Sequence, residues 1–331
     1  MTVEFFREEP TARTSWRLAV LMGANVRTYK FALGEALLGA AAQGQGDILL
    51  KDLAGPYAMS LVEHLAQAPQ ASPKVVAAGA DFLAVAREEA AESMRFGGPT
   101  EKLLAAAMKS MPAMVMRKFH RLRGDGGAEV PHRFYEVTGP ARERVIRLTG
   151  PLLEVALSEQ RPSLLAELAA RWGIVEMSFA AGVGRSLVEE GVAVDLETLR
   201  ITDKERRRPV AGVTEAVIGF QHGRCGICGD PLILGVDEIA VDHVFPYSFR
   251  RLMPAIDLDA IWNLAPAHRP CNAQKSNRPP TPGQLTRLAM RNEAIMLSPH
   301  PLKRTLQLTL KRHGFRDGWW HFIQGVRDQL G

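Results

Sequence analysis

The sequence predicts a mainly α protein: a helical N-terminal domain, a small α+β module after it, and a short helical C-terminal extension. Apolar residues recur at mixed three- and four-residue spacings through most of the first 205 positions, which is the signature of helices packed on helices. All three cysteines of the chain fall between residues 225 and 271, marking a module apart from the helices. A short β-rich segment, Glu238–His243, lies between the two halves of that cysteine cluster.

Helices are expected over Arg13–Met22, Tyr29–Ala42, Pro56–Ala66, Lys74–Ser93, Glu101–Met111 and Pro112–Leu122, separated by Gly, Pro and Gln-Gly breaks. His132–Thr138 and Arg144–Thr149 alternate around Gly139-Pro140 as a short hairpin does. Leu152–Leu157 and Ser163–Trp172 return to helical spacing. Charge crowds in Asp203-Lys204-Glu205-Arg206-Arg207-Arg208, where a domain boundary is expected, and Pro209 is then placed to open a helix through Gln221. Pro246 stops any helix from running straight out of the β-rich segment. Beyond Pro279-Pro280, helices are expected over Gln284–Met296 and Pro301–His313, and the apolar Trp319-Trp320-His321-Phe322 cluster is expected to dock on the core or on a partner. The resulting division is 1–205, 206–285 and 286–331.

The net charge of +5 is unevenly spread. Residues 1–205 hold 24 basic against 26 acidic side chains, residues 206–285 hold 9 against 7, and residues 286–331 hold 8 against 3. A polyanion is therefore gripped more plausibly by the C-terminal part than by the N-terminal domain. The local cluster Arg117, Lys118, His120, Arg121 and Arg123 is read first as a solvated helix end, where cations are favourable. No run reaches the length of about 18 apolar residues that a membrane span needs, and the acidic start lacks a signal-peptide shape, so a cytoplasmic location is expected. No internal repeat, low-complexity tract or phosphate-binding glycine loop is present, so intrinsic nucleotide hydrolysis is not indicated.

The cysteines come as Cys225-Gly-Ile-Cys228 and, later, His268-Arg-Pro-Cys271. Each pair has two residues between its donors, the spacing that lets one tight turn present both atoms to a single tetrahedral ion. An odd number of cysteines does not make a disulfide framework, whereas three thiolates joined by His268 complete a structural Zn²⁺ set. Four protein ligands leave no open position for water, so such an ion would be structural. Between the halves stands Asp242-His243. Neighbouring strand residues face opposite sides, so the two can address different partners. A carboxylate is a hard ligand suited to Mg²⁺ or Mn²⁺, and imidazole is the side chain that most readily deprotonates water near neutral pH.

Together with Trp262-Asn263-Leu264 and Cys271-Asn272-Ala-Gln-Lys275, these elements resemble the HNH, or ββα-metal, endonuclease family of the zinc-knuckle type, over roughly residues 222–280. The same order of Asp-His and two later Asn residues is similar to the zinc-free HNH domain of RNA-guided CRISPR nucleases. The resemblance implies that His243 is the general base, that Asp242 and Asn272 bind the catalytic divalent ion, and that Asn263 orients His243 or holds the loop between strand and helix. It also implies that Lys275 lies near the scissile phosphate. Two departures stand out: Asn272 occupies the position of the family's final His, and His268 replaces a more usual zinc cysteine. An amide oxygen still serves a hard cation, so no required donor is lost. Arg269 and Arg278 are further candidates for positive potential around a phosphate.

The expected function is hydrolysis of phosphodiester bonds in double-stranded DNA, with defence against phage or foreign DNA as the biological role. The helical domain would serve targeting, regulation, or contact with a protein partner or second copy. A mobile-element or recombination nuclease is the second nuclease reading. A zinc-stabilised nucleic-acid-binding protein without catalysis is the reading from a different class.

Overall fold

The computed structural model describes residues 10–23, 27–72, 81–122, 128–140, 143–180, 192–195, 200–203, 209–298, 300, 302–315 and 318–330. The chain divides into two compact units, one taking in residues 10–161 and 171–187, the other 162–170 and 188–331.

The first unit is built around α2 (Tyr29–Ala42), which follows α1 (Ala12–Leu21). Helix α2 buries Phe31, Leu33, Leu37, Leu38 and Ala41 around most of its circumference, the behaviour of a helix apolar on all sides. Helix α1 starts on a capping box in which the Thr11 and Thr14 side chains satisfy each other's backbone N–H. Helix α3 (Leu50–Leu65) buries Leu50, Leu53, Ala54, Tyr57, Ala58, Leu61 and Val62, a single stripe at three- and four-residue steps. It begins six residues before the expected start at Pro56. Pro56 is exposed, as is Asp52, the residue whose carbonyl loses its helical donor. Short helices α4 (Phe82–Glu88) and α5 (Ala90–Phe96) occupy the later part of the expected Lys74–Ser93 helix, while residues 73–80 lie outside the described residues.

Pro112 likewise sits inside α6 (Glu101–Met114), and Met116–Lys118 follow as one 3-10 turn where a separate helix was expected. The predicted hairpin forms from β2 (Tyr135–Thr138) and β3 (Val145–Leu148). A third strand, β1 (Asp47–Leu49), pairs with the other edge of β3, with Ile48 opposite Ile146. Three residues were too few to show the alternation by which strands are read. Helices α7 (Gly150–Leu157) and α8 (Arg161–Ala180) complete the order, α8 lending residues to both units.

One buried histidine gives the first unit a pH dependence. His120 stands among Phe119, Phe134 and Tyr135 and accepts a hydrogen bond from the Phe134 N–H at 2.9 Å through Nε2. Burial, then the positive charges of Arg133 and Lys30, push its pKa down from 6.5 to about 4. The unfolded chain therefore binds more protons than the folded one between these values, so His120 costs no stability above pH 6.5 and progressively more as pH falls towards 4. The full loss is on the order of 3 kcal/mol. Thermal melts between pH 7.5 and 4.5 should show His120→Gln, whose amide oxygen also accepts the Phe134 N–H, losing less stability on acidification than the wild type. Parallel curves would contradict this origin.

The second unit holds the cysteine cluster. Strands β4 (Val192–Asp195), β5 (Arg200–Asp203) and β6 (Pro209–Gly212) form an antiparallel sheet in that order. Pro209 thus begins a strand rather than the expected helix. It lies on the sheet edge, where a missing N–H costs no ladder bond, and the helix α9 starts at Val213 and ends at Phe220. Residues 204–208, most of the expected boundary, lie outside the described residues. Next come β7 (Ile239–His243), β8 (Leu264–His268) and α10 (Arg269–Lys275).

Helices α11 (Pro282–Leu297), α12 (Leu302–Arg312) and α13 (Trp319–Asp328) finish the chain within this same unit. Trp319 is fully buried and stacks at 6.0 Å on Trp262, while Phe322 meets Trp262 edge-on at 5.0 Å. The apolar end of the chain is therefore docked on the loop that leads into β8. None of the helices among the described residues is long and apolar enough to cross a membrane.

Candidate functional site

The site is a two-stranded ribbon followed by one helix. Strands β7 and β8 pair antiparallel, with Asp242 opposite Ala265 and His243 opposite Leu264 at one end and Ile239 opposite His268 at the other. The ribbon separates two groups of polar side chains, one at each end.

At the far end are the four metal-type donors. The ligand atoms of Cys225, Cys228, His268 and Cys271 all lie within 4.8 Å of one another. Their placement follows from local geometry. The Cys225 N–H donates to the Asp230 carbonyl at 2.8 Å and the Gly229 N–H returns to the Cys225 carbonyl at 3.0 Å, which folds the Cys225–Cys228 turn tightly. Gly226 packs so closely on β8 that a Cβ there would stand 2.8 Å from the Ala265 Cβ. His268 is the N-cap of α10, and Cys271 follows in its first turn, where a three-residue step returns to the same face. Cys225 is buried with Ile218, Leu232 and Ala267, an apolar floor for the cluster.

His268 presents Nδ1 to the sulfurs of Cys228 at 3.5 Å and Cys271 at 3.7 Å. Its Nε2 lies 3.0 Å from the Pro231 carbonyl and 3.5 Å from Asp237 Oδ2. Since a carbonyl only accepts, this bond assigns the proton to Nε2 and the lone pair to Nδ1, the tautomer that a metal-binding imidazole adopts. Burial pushes the Cys225 thiol up, but the N–H groups of Cys228, His268 and Ile227 outweigh it and its pKa is lowered. Burial raises Cys271 and pushes Cys228 up to about 12, with the neighbouring Cys225 sulfur adding to both. One thiolate is thus favoured and further ones are resisted by mutual repulsion, which a dication at their centre removes. Three sulfurs and one imidazole suit tetrahedral zinc.

At the near end, Asp242 and His243 diverge as adjacent strand residues do. Asp242 is buried against Lys275 of α10, whose Nζ lies 3.0 Å from Oδ2 and 3.2 Å from Oδ1 and also donates to the His243 carbonyl at 2.8 Å. Oδ2 is buried, and beyond this ion pair it has no partner among the described residues, so one of its two lone pairs is unshared. Burial raises the Asp242 pKa, and the opposing charge of Lys275 does not fully cancel the effect. A buried carboxylate oxygen with a spare lone pair fits a hard divalent cation. Asn272 lies three residues before Lys275 on α10, hence on the same side of that helix, and its side chain makes no hydrogen bond among the described residues.

His243 turns the other way. Its Nε2 is 2.8 Å from Asp259 Oδ1, and its ring lies 5.5 Å from that of Tyr247. Asp259 went unnoticed in the sequence. The available signal was weak: Asp257 and Asp259 are the only acids between His243 and Asn263. Asp257 Oδ1 accepts from the Asp259 N–H at 3.0 Å, shaping the turn that brings the second carboxylate to the imidazole.

Asn263 is fully buried and holds backbone rather than the imidazole. Its Oδ1 accepts from the Phe245 N–H at 2.8 Å, and its Nδ2 donates to the carbonyls of Phe245 at 2.8 Å and Leu258 at 2.7 Å. Arg291 of α11 donates to the carbonyls of Ile261, Trp262 and Leu264, and Asn292 adds a bond to Trp262. One turn earlier, Arg287 donates to Gly226 and Ile227 in the cysteine turn. Helix α11 therefore braces both ends of the ribbon with two guanidinium groups.

The other expected cations are placed less directly. Lys275, expected beside the scissile phosphate, has a side chain only 4% exposed and spends its ammonium on Asp242 and the β7 backbone. Arg269 is exposed and lies 3.6 Å from Glu238, and Arg278 caps the carbonyl end of α10 through Gln274 and Lys275.

Neither the curated proteins nor the solved structures offer a match to this chain. Its segment 225–278 matches the family model described as HNH endonuclease, a span that holds both groups of side chains and the whole ββα unit. From Cys225 to Arg278 this chain therefore carries an HNH endonuclease domain.

Proposed function

We propose that the chain is a DNA endonuclease in which His243 activates water and Asp242, with Asn272, holds one Mg²⁺ or Mn²⁺ ion. The observation that carries this reading is the pairing, on adjacent residues of β7, of a buried carboxylate oxygen with a spare lone pair and an imidazole held by a carboxylate. A purely structural zinc knuckle needs neither.

Asp259 accepts the Nε2–H of His243, which fixes the tautomer and leaves Nδ1, without a hydrogen-bond partner among the described residues, as the proton acceptor. A water giving its proton to Nδ1 attacks phosphorus through oxygen, and the sugar oxygen opposite departs. A divalent ion in this site supplies charge stabilisation on the phosphoryl and departing oxygens. Lys275 acts through Asp242, holding the carboxylate in place beneath the strand. Asn263 acts through the loop, keeping Phe245 and Leu258 fixed on either side of the imidazole and its carboxylate partner. The knuckle holds the ribbon together.

Double-stranded DNA is the substrate we favour, and defence against phage or foreign DNA the role. The support is the joining of an HNH domain to a separate helical unit, an arrangement read by analogy alone.

Cleavage of a plasmid at graded Mg²⁺ concentrations tests the assignment. Asp242→Ala should need far more Mg²⁺ before cutting appears, whereas Asp259→Ala should keep the wild-type Mg²⁺ requirement and lose roughly 10–100-fold in kcat, the usual cost of removing a side chain that orients a site imidazole. Asp259→Asn, which keeps an oxygen but not the charge that stabilises the imidazolium, should recover little of that loss. A wild-type Mg²⁺ curve for Asp242→Ala, or wild-type kcat for Asp259→Ala, would contradict the corresponding role.

A further inference from the structure

Immediately after His243 the chain makes a turn that the catalytic roles above leave unused. Val244, Phe245 and Pro246 are buried, then the 3-10 turn Tyr247–Arg251 brings the backbone to the surface, and Met253 returns to the interior. The turn is firmly rooted. Both backbone groups of Phe245 are held by Asn263, the Phe249 N–H donates to the Pro246 carbonyl at 2.9 Å, and the Leu252 N–H donates to the Phe249 carbonyl at 2.8 Å.

What this rigid root displays is unusual for plain solvent. Tyr247 is 44% exposed and Leu252 67%, with Arg250 and Arg251 exposed between them. The Arg250 guanidinium lies 4.4 Å from the centre of the Tyr247 ring, and that ring is 5.5 Å from the His243 imidazole. A continuous row therefore runs outward from the general base through an aromatic face to a cation. Among the described residues neither Arg250 nor Arg251 has a carboxylate within ion-pair distance. The other cations between Cys225 and Arg278 are engaged: Lys275 on Asp242, Arg269 on Glu238, and Arg278 on the end of α10.

We propose that Tyr247–Leu252 is the grip by which this nuclease holds duplex DNA, with Arg250 and Arg251 taking backbone phosphates next to the scissile one and Tyr247 packing on the adjoining sugar. The inference rests on the nuclease reading above. Guanidinium is suited to phosphate because its fork matches two phosphate oxygens, and stacking on Tyr247 preorganises Arg250 for that contact. Leu252 adds apolar surface for the sugar edge. A ring placed between the phosphate-binding cation and the imidazole sets the distance from the gripped phosphate to the attacked one.

The test measures binding apart from cutting. In full-length protein carrying His243→Ala, affinity for a fluorescent duplex of about 20 base pairs is followed by anisotropy across a salt series, with and without R250A/R251A. Loss of two phosphate contacts should lower affinity at least about tenfold and flatten the log–log salt slope by about 1.8. In the otherwise wild-type enzyme the same pair should raise KM by a similar factor with little change in kcat. The control pair R95A/K102A, two exposed cations of the first unit, should leave affinity and slope unchanged. Unchanged binding in R250A/R251A, or an equal loss in the control, overturns the grip. A wild-type enzyme that cuts DNA with KM indifferent to R250A/R251A sinks the grip and leaves the nuclease standing. A protein whose duplex binding depends on the two arginines but which cuts nothing sinks the nuclease reading instead.

Discussion

Replacing His243 by Ala should slow DNA cleavage by roughly 10²–10⁴-fold, the range lost when a positioned acid–base group is removed. Duplex binding and thermal stability should stay near wild type. The imidazole is partly exposed and, among the described residues, bonds only to Asp259, so its removal opens no core cavity. Asp242, the metal-type carboxylate, stays on Lys275 in the variant, because that ion pair lies on the opposite face of β7. The measurement is single-turnover cleavage at saturating Mg²⁺, with anisotropy on the same samples. A rate within about threefold of wild type would remove His243 from the mechanism, since a general base contributes at least about 10²-fold.

The other large effect lies at the opposite end of the ribbon. Cys225→Ser or Cys271→Ser should release zinc and unfold the ββα unit. Structural zinc contributes about 10–16 kcal/mol of apparent binding free energy in small modules, most of it folding free energy. Here the apolar floor under the cluster consists of Ile218, Cys225, Leu232 and Ala267 with a few half-buried neighbours, too little to hold the turn once the sulfurs separate. Cleavage should fall as a consequence. Elemental analysis should find one zinc per wild-type chain and less in either variant, and limited proteolysis should open residues 222–280. Wild-type protein purified without chelator and free of zinc, or a variant with full zinc and native resistance, would contradict the assignment.

Much of the site was legible in the sequence because its signals are local. Two donors separated by two residues imply one turn, and Asp242 beside His243 in a strand implies two faces. Tyr29–Ala42 was legible end to end for the same reason, being a helix with breaks on both sides. What escaped the sequence depends on partners far along the chain. Asp259 reaches His243 only because the Asp257 turn folds it back, and no periodicity marks such a residue. Lys275 reads as a cation beside the scissile phosphate until α10 is packed under β7, where burial and Asp242 claim its ammonium. Asn263 was bound to carry two candidate roles until its three bonds to Phe245 and Leu258 were seen. Pro56 and Pro112 were read as helix starts, but each lies inside a helix, where packing of the surrounding turns outweighs the lost backbone bond. The C-terminal helices read as an extension, yet Arg287 and Arg291 bind carbonyls in the knuckle turn and in the loop before β8. Buried guanidinium groups aimed at backbone leave no trace in sequence spacing.

In the proposed mechanism one ββα unit cuts DNA with a divalent ion on Asp242 and a base at His243. Supercoiled plasmid incubated with full-length, zinc-loaded protein tests it most directly, with Mg²⁺ added or withheld and His243→Ala protein purified in parallel. Nicked and linear DNA should appear only in the wild-type sample containing Mg²⁺. Intact plasmid in every sample, or equal cutting by wild type and His243→Ala, would contradict it.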